Sequence, residues 1–292
     1  MRVVAYNPLA AARPDRIEEI SQTFGAADIV LLYGTTQYRR KDEEVHSVDS
    51  ELHHWWCWGR DGGSRSSKAA GCMIGLRKKS FRRQDVYKVY QGINDVRGRT
   101  GGLRIRNDKF DMTALVAYFP PRERGRAVAA RYYEQTTGKM MEWIEDKVDG
   151  TPDRSMLVLG CDLNDTLNFE EGEDEDEMSE IGKYAGNKKS GKAAIKMKEL
   201  MAKHRLFAVN TFWSKAGPTF YGNTEGATSN IDYLMMSKGM APEIFDCRTL
   251  KREATKLQLI PDRRHRDHIP IKVDFKTTTR RWARQKGETS GK

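Results

Sequence analysis

Leu157-Val158-Leu159-Gly160-Cys161-Asp162-Leu163-Asn164 is an apolar run that passes, without a break, into an acid and an amide two residues apart. Four to eight apolar residues ending in turn-forming polar groups read as a buried strand. In extended backbone, an i, i+2 pair projects to one side of the sheet. Asp162 and Asn164 would then converge on one phosphate and its attacking water. The competing reading of the same pair is an Asx turn or a helix cap.

Other apolar runs bounded by turn signals lie on either side of it, at 3–6, 29–33, 72–76, 112–119, 231–236 and 271–275. Amphipathic segments at helical spacing fall between them, at 15–23, 126–148 and 192–204, the last with Ala194, Met197, Leu200 and Met201 on one side. Strands interleaved with helices predict an α/β architecture, a sandwich of buried sheets covered by helices on the outside. The domain spans 1–275. Residues 276–292 form a polar, basic tail: a solvated end, a nucleic-acid-binding arm or the joint to a further domain.

Composition narrows the class. With 38% hydrophobic residues, 32% charged residues and six Trp, the 292-residue chain has the material for a packed core. No run approaches the roughly 20 apolar residues of a bilayer span, and the first residues enter a strand pattern rather than a signal peptide, so an intracellular protein is expected. The four cysteines, Cys57, Cys72, Cys161 and Cys247, form no CxxC pair, which argues for thiols rather than a zinc site or disulfides. Eight carboxylates and no Lys or Arg lie between Glu170 and Glu180, although the whole chain carries +10. Everything outside that acidic loop, placed at 169–180, is therefore eight charges more positive than the total. Such an excess suits polyanionic partners, nucleic acid or an acidic membrane surface, and it also serves solubility.

Three further polar groups stand where strands should end. Asn7 follows the opening strand, where a turn-forming role competes with a functional one. Asp232 sits in Ser229-Asn230-Ile231-Asp232-Tyr233-Leu234, and Asp267 with His268 in Arg266-Asp267-His268-Ile269-Pro270-Ile271. A lone histidine is commonly a core residue, but His268 has a candidate orienting acid in Asp232. Trp55, Trp56 and Trp58 read first as a buried aromatic strand and second as base or groove contacts.

Taken in order, Asn7, Gly160-Cys161-Asp162-Leu163-Asn164, Ile231-Asp232-Tyr233 and Asp267-His268-Ile269-Pro270-Ile271 resemble the endonuclease/exonuclease/phosphatase (DNase I-like) superfamily. Within it, the chain is most similar to the endonuclease domains of non-LTR retrotransposons and their domesticated relatives. Residues 27–32, Tyr118-Phe119-Pro120-Pro121 and 181–212 support the likeness.

The resemblance implies a four-layer α/β sandwich and hydrolysis of a phosphodiester or phosphomonoester, with Mg2+ or Mn2+ bound. It implies that Asp162 orients and deprotonates water, that Asn164 and Asn7 hold the phosphate or the metal shell, and that Tyr118 contacts the phosphate. Asp232 would hold His268 as an imidazolium, Asp267 would sit at the metal, and Arg266, where relatives often have serine, would contact a phosphate.

Relatives also place a metal-binding Glu after a strand, in strings like Leu-Gln-Glu-Thr, where this chain reads Leu32-Tyr33-Gly34-Thr35. Losing a carboxylate should weaken a magnesium site that has only one or two. Asp42, Glu43 and Glu44 are candidate substitutes. The expected function is a metal-dependent endonuclease acting on DNA, of retroelement origin, with a reverse transcriptase domain in a longer polyprotein and a nuclear location if the substrate is genomic. Two alternatives share the fold: a catalytically silent nucleic-acid-binding domain, and a phosphatase of inositol phosphates or phospholipids.

Overall fold

The computed structural model describes the chain except for residues 39–42, 61–69, 109–110, 122–126, 170–178, 187, 223, 225, 261–264 and 278–292. The acidic stretch and the basic tail thus fall almost wholly outside the described residues, as does Asp42.

In chain order the strands are β1 (Arg2–Tyr6), β2 (Ile29–Tyr33), β3 (Val45–Asp49), β4 (His53–Trp58), β5 (Cys72–Arg77), β6 (Val86–Tyr90), β7 (Thr100–Arg106) and β8 (Asp111–Tyr118). They continue with β9 (Met156–Asp162), β10 (Leu206–Ala208), β11 (Phe220–Tyr221), β12 (Thr228–Ser229), β13 (Asp232–Ser237), β14 (Ile244–Thr249), β15 (Asp267–His268) and β16 (Ile271–Phe275). The helices are α1 (Pro14–Thr23), α2 (Ala127–Asp149), α3 (Lys192–Lys203) and α4 (Lys251–Leu257).

Two mixed sheets carry the fold, one ordered β14-β16-β1-β2-β5-β4-β3 and the other β10-β13-β9-β8-β7-β6, and a small β12-β11-β15 sheet joins them. The parallel pairs β1·β2 and β8·β9 are bridged by α1 and α2, as parallel strands require a crossover. Side-chain alternation sorts each strand between two cores. Ile29, Leu31 and Tyr33 of β2 point between the sheets, while Val30 and Leu32 join the outer core of its sheet. On β9, Val158 points inward and Leu157, Leu159 and Cys161 outward, into the core that holds α2 and α3 residues. This is the expected four-layer sandwich.

Gly160 shows why the sheets approach so closely beneath the quoted strand: a Cβ there would stand 2.9 Å from Leu31 Cδ1 and 3.3 Å from Ala5 Cβ. Just past the strand, Asp165 accepts the N–H groups of Gly191 and Ala194, both at 3.0 Å. It thereby caps α3, whose own N-cap glycine has no side chain to do so.

Trp55, Trp56 and Trp58 are buried in β4, so they are core residues and not base contacts. All four cysteines are buried thiols. Among the described residues, no helix is long and apolar enough to cross a membrane. Strands β3, β6, β7, β10 to β12, β14 and β15 were not expected from the sequence. They are short, polar on one face or interrupted by glycine, so periodicity is weak in them.

His53 lies fully buried at the start of β4, with Ser21 Oγ 2.8 Å from its Nδ1 and the Ala27 carbonyl 3.2 Å from its Nε2. Burial pushes its pKa down to about 4, against a smaller upward pull from the Ala27 hydrogen bond. A group whose folded pKa lies below its unfolded value stays neutral in the fold, and the fold loses stability as pH falls from about 6.5 toward 4. The His53 ring, followed by NMR, is expected to titrate near pH 4. A midpoint above 6 would contradict the buried neutral ring.

Candidate active site

Sheet register assembles the first part of the site. Asp162 is the last residue of β9, and it pairs across the sheet with Tyr118, the last of β8, and with Asp232, the first of β13. Register partners share a face, so these three side chains form one row at the end of the sheet. The start of β13 is held by Thr219, whose Oγ1 accepts the Ile231 and Asp232 N–H groups at 3.1 and 3.0 Å. Asn210 donates to the Asp232 carbonyl at 3.2 Å and accepts from the Leu234 N–H at 3.1 Å.

The second sheet and its connections bring the rest. Asn7, just past β1, donates through Nδ2 to Asp162 Oδ2 at 2.9 Å and lies 3.3 Å from His268 Nε2, while its Oδ1 accepts the Leu9 N–H at 2.9 Å. His268 presents Nδ1 to both Asp232 oxygens, at 2.8 and 3.0 Å, and Nε2 to Asp162 Oδ2 at 3.7 Å. Phe220, paired with His268 between β11 and β15, packs its ring edge-on at 5.0 Å.

Electrostatics follow from this burial. Asp162, Asp232 and His268 are 1%, 1% and 6% exposed. Burial, then the neighbouring Asp232 charge, pushes Asp162 up to about 7, against the pull of His268 and Asn7. For His268, burial alone lowers the pKa, but Asp232 and Asp162 together raise it further, to about 9. At neutral pH the ring is therefore an imidazolium clamped between two carboxyl groups. Tyr118 is pushed up to about 12 by burial and then by Asp162, so its phenol stays protonated.

The expected extended backbone from Asp162 to Asn164 is not found. Asn164 has φ of +50°, its N–H donates to Asp162 Oδ1 at 2.9 Å, and its Nδ2 donates to the Phe119 carbonyl at 2.8 Å. The Asx-turn reading describes the backbone, and the same turn holds the Asp162 carboxylate.

The carboxylate of Asp267, half-buried and at φ +61°, has no hydrogen bond or ion pair among the described residues. The Arg266 backbone N–H is bound to Gln258 Oε1 at 3.2 Å. Glu43 and Glu44 are not among the clustered acids.

At position 34 the structure alters the sequence reading. Gly34 has φ of +66°, and a Cβ built on it would stand 2.4 Å from Asn7 Oδ1 and 2.7 Å from Asn7 Nδ2. The space beside Gly34 is thus filled by Asn7, not vacant.

Sequence reasoning also missed Phe220, Arg99 and Tyr33. Arg99 is buried, with Cζ 5.2 Å from the Tyr118 ring centroid, and it donates to the Tyr118 carbonyl at 3.1 Å. Among the described residues, the buried Tyr33 hydroxyl has no partner in ordinary hydrogen-bonding range, and after burial itself the Asp232 and Asp162 charges push its pKa up. The only signal for these residues was proximity to a strand end.

Ligand atoms of Asp162, Asp232 and His268 lie within 4.8 Å of one another, a cluster compact enough for a divalent ion. Because His268 is protonated and bound to Asp232, it offers no lone pair in this arrangement. The unengaged Asp267 carboxylate is an available hard oxygen donor, and magnesium commonly takes one or two carboxylates and keeps waters. The residues present therefore fit such an ion.

No family model matches the chain, and no curated protein matches it. Solved structures do. The 3'-5' exonuclease NExo from Neisseria meningitidis is 15% identical, with a TM-score of 0.62 over 94% of this chain and 99% of that one. An AP endonuclease from Archaeoglobus fulgidus is 15% identical with a TM-score of 0.61 over the same shares. The endonuclease domain of TRAS1, a telomere-specific non-LTR retrotransposon, is 15% identical with a TM-score of 0.54 over 95% and 99%. The fold is therefore the DNase I-like α/β sandwich that these nuclease structures share.

Proposed function

We propose that this chain is a divalent-metal-dependent phosphodiesterase, an endonuclease acting on DNA. The observation that carries this reading is the buried constellation of Asn7, Asp162, Asp232 and His268, a costly concentration of charge for a strand end with no chemical role. Asp162 takes the proton of an attacking water as the new P–O bond forms. The His268 imidazolium, kept charged and oriented by Asp232, faces the negative charge that builds on the phosphate oxygens as the leaving oxygen departs. Tyr118 and Asn164 hold the phosphate, and Arg266 contacts a neighbouring one. Asp267 and Asn7 would hold a magnesium or manganese ion, which would supply further positive charge to the reaction. The excess of basic residues, +10 over the whole chain, favours DNA over small soluble phosphates.

The likeness to the TRAS1 endonuclease domain supports a retroelement origin, action in the nucleus and a reverse transcriptase domain in a longer polyprotein, with the basic segment after residue 275 as a joint or a DNA-binding arm. Gly34 supports a second reading, a silent DNA-binding domain that keeps the fold.

Nicking of supercoiled plasmid with magnesium or manganese separates the two. The wild type should nick, EDTA should stop it, and His268→Ala should slow it by about 10²–10⁴-fold. Asp162 must be ionised and His268 protonated, so the rate should rise as pH passes about 7 and fall as it passes about 9. A cation beside Asp162 favours its ionised form, so more magnesium should move the acid limb to lower pH. A wild type that never nicks between pH 6 and 10 with either metal, yet binds DNA, belongs to the second reading.

A further inference from the structure

Residues 34–38 continue from the end of β2, where Gly34 stands against Asn7, and are tied down at Thr35 and Gln37. The Ala11 N–H donates to the Thr35 carbonyl at 2.8 Å, the Thr35 N–H to the Gly71 carbonyl at 3.0 Å and the Gly71 N–H to the Gly98 carbonyl at 2.7 Å. Gln37 Nε2 donates to the Ala11 carbonyl at 2.6 Å, and the Arg60 N–H to the Gln37 carbonyl at 2.9 Å. Ala11, Thr35, Gln37, Arg60, Gly71 and Gly98 are thereby linked in one hydrogen-bonded frame.

Tyr38 stands on this frame, 55% exposed, and Arg60 lies under it with Cζ 4.1 Å from the ring centroid. Arg60 itself is only 6% exposed. No carboxylate among the described residues pairs with it, and its buried Nε has no acceptor among them. Among the described residues, the aromatic face above it is what offsets this buried cation. Tyr38 is the fourth residue after Gly34, so its backbone lies at most about 14 Å from that of Gly34, which stands against the Asn7 side chain of the site.

We propose that Tyr38, backed by Arg60, is a stacking platform for an unpaired base of the substrate strand, so that the site takes single-stranded or locally opened DNA in preference to intact duplex. The proposal rests on the nuclease reading and adds a substrate class to it. Bases inside a duplex have both faces covered by their neighbours, whereas an unpaired base has a face to offer, and stacking on an aromatic side chain tolerates any sequence. Phosphates of the same strand are drawn by the guanidinium charge.

Binding in EDTA tests the platform without cleavage. Fluorescence anisotropy would compare wild type, Tyr38→Ala and Tyr38→Phe on a single strand of about 15 nucleotides, on the same length of duplex, and on a strand of equal charge whose central positions lack bases. Tyr38→Ala should weaken single-strand binding by about tenfold, the order that one stacked base contributes. Tyr38→Phe should keep it, duplex binding should change little, and the baseless strand should bind wild type and Tyr38→Ala alike. Equal losses on all three ligands, no loss on the single strand, or no single-strand binding by wild type would overturn the platform. Plasmid nicking reads the nuclease assignment separately: nicking with an unaltered Tyr38→Ala binding profile sinks the platform alone, and the expected binding profile without nicking sinks the nuclease alone.

Discussion

Asp162→Asn is expected to remove phosphodiester cleavage, by about 10²–10⁴-fold, while leaving the melting temperature at pH 8 no lower than that of the wild type. The activity loss follows from the position of the carboxylate. It is the only group in the row that can accept a water's proton near neutral pH, since Tyr118 is protonated and Asp232 is engaged through both oxygens by His268. The stability side follows from linkage. Asp162 binds its proton more tightly in the folded chain, at about 7, than a free carboxyl near 3.8. Between those values the folded state holds more protons than the unfolded one, so in the metal-free protein each rise in pH destabilises the fold, and above about 7 the whole penalty is present. A neutral amide avoids that penalty. It forfeits one of the hydrogen bonds from Asn7 and the Asn164 N–H, each contributing about 1 kcal/mol, which offsets part of the gain. Plasmid nicking and a thermal melt at pH 8 without metal would check both halves. A variant that still cuts, or one that melts far below wild type, would show that Asp162 is structural and not the base.

Gly34→Glu is expected to lower stability and to leave nicking no faster, although it supplies the carboxylate that related sequences carry. Two costs come from the backbone and from Asn7. A residue with a Cβ held at φ +66° is strained by about 1–2 kcal/mol. Its Cβ would also displace the Asn7 side chain, 2.4 Å away, from hydrogen bonds to Asp162 and the Leu9 N–H, a loss of about 1–3 kcal/mol at a buried site. Together these predict a melting temperature lower by roughly 4–20 °C, at about 2–4 °C per kcal/mol for a large domain. Gly34→Ala should show most of that drop, because the Cβ and the dihedral cause it, not the charge. Combining Gly34→Glu with Asn7→Gly should recover part of the stability. Faster nicking by Gly34→Glu at an unchanged melting temperature would mean that position 34 is an open ligand place after all.

Much of the architecture was legible because it is written locally. The run at 157–164 is apolar at every position up to Asp162, and each face of a buried strand needs that, so both its presence and its end could be read from neighbours in sequence. The same holds for β1, β2, β5, β8, β13 and β16, and for the three longer helices. The two-residue strands β11 and β15 are too short to carry a period, and they are the ones that bring Phe220 against His268. Trp55, Trp56 and Trp58 admitted two readings because an aromatic residue suits both a core and a base contact. Packing on β5 and the two faces of the sheet resolved them as core.

By itself, then, the sequence determined the strand and helix order and the polar groups at the strand ends, because side-chain periodicity and turn chemistry act over a few residues. The tertiary structure alone decided which of those groups meet. Asn7 reaches Asp162 across 155 residues of chain and His268 across 261, and the shared row of Tyr118, Asp162 and Asp232 depends on strand register. It also decided that Asn164 turns out of the strand, that Asn7 fills the space at Gly34, and that Tyr38 lies over Arg60. Register and packing are set by contacts between distant segments, and no local pattern encodes them.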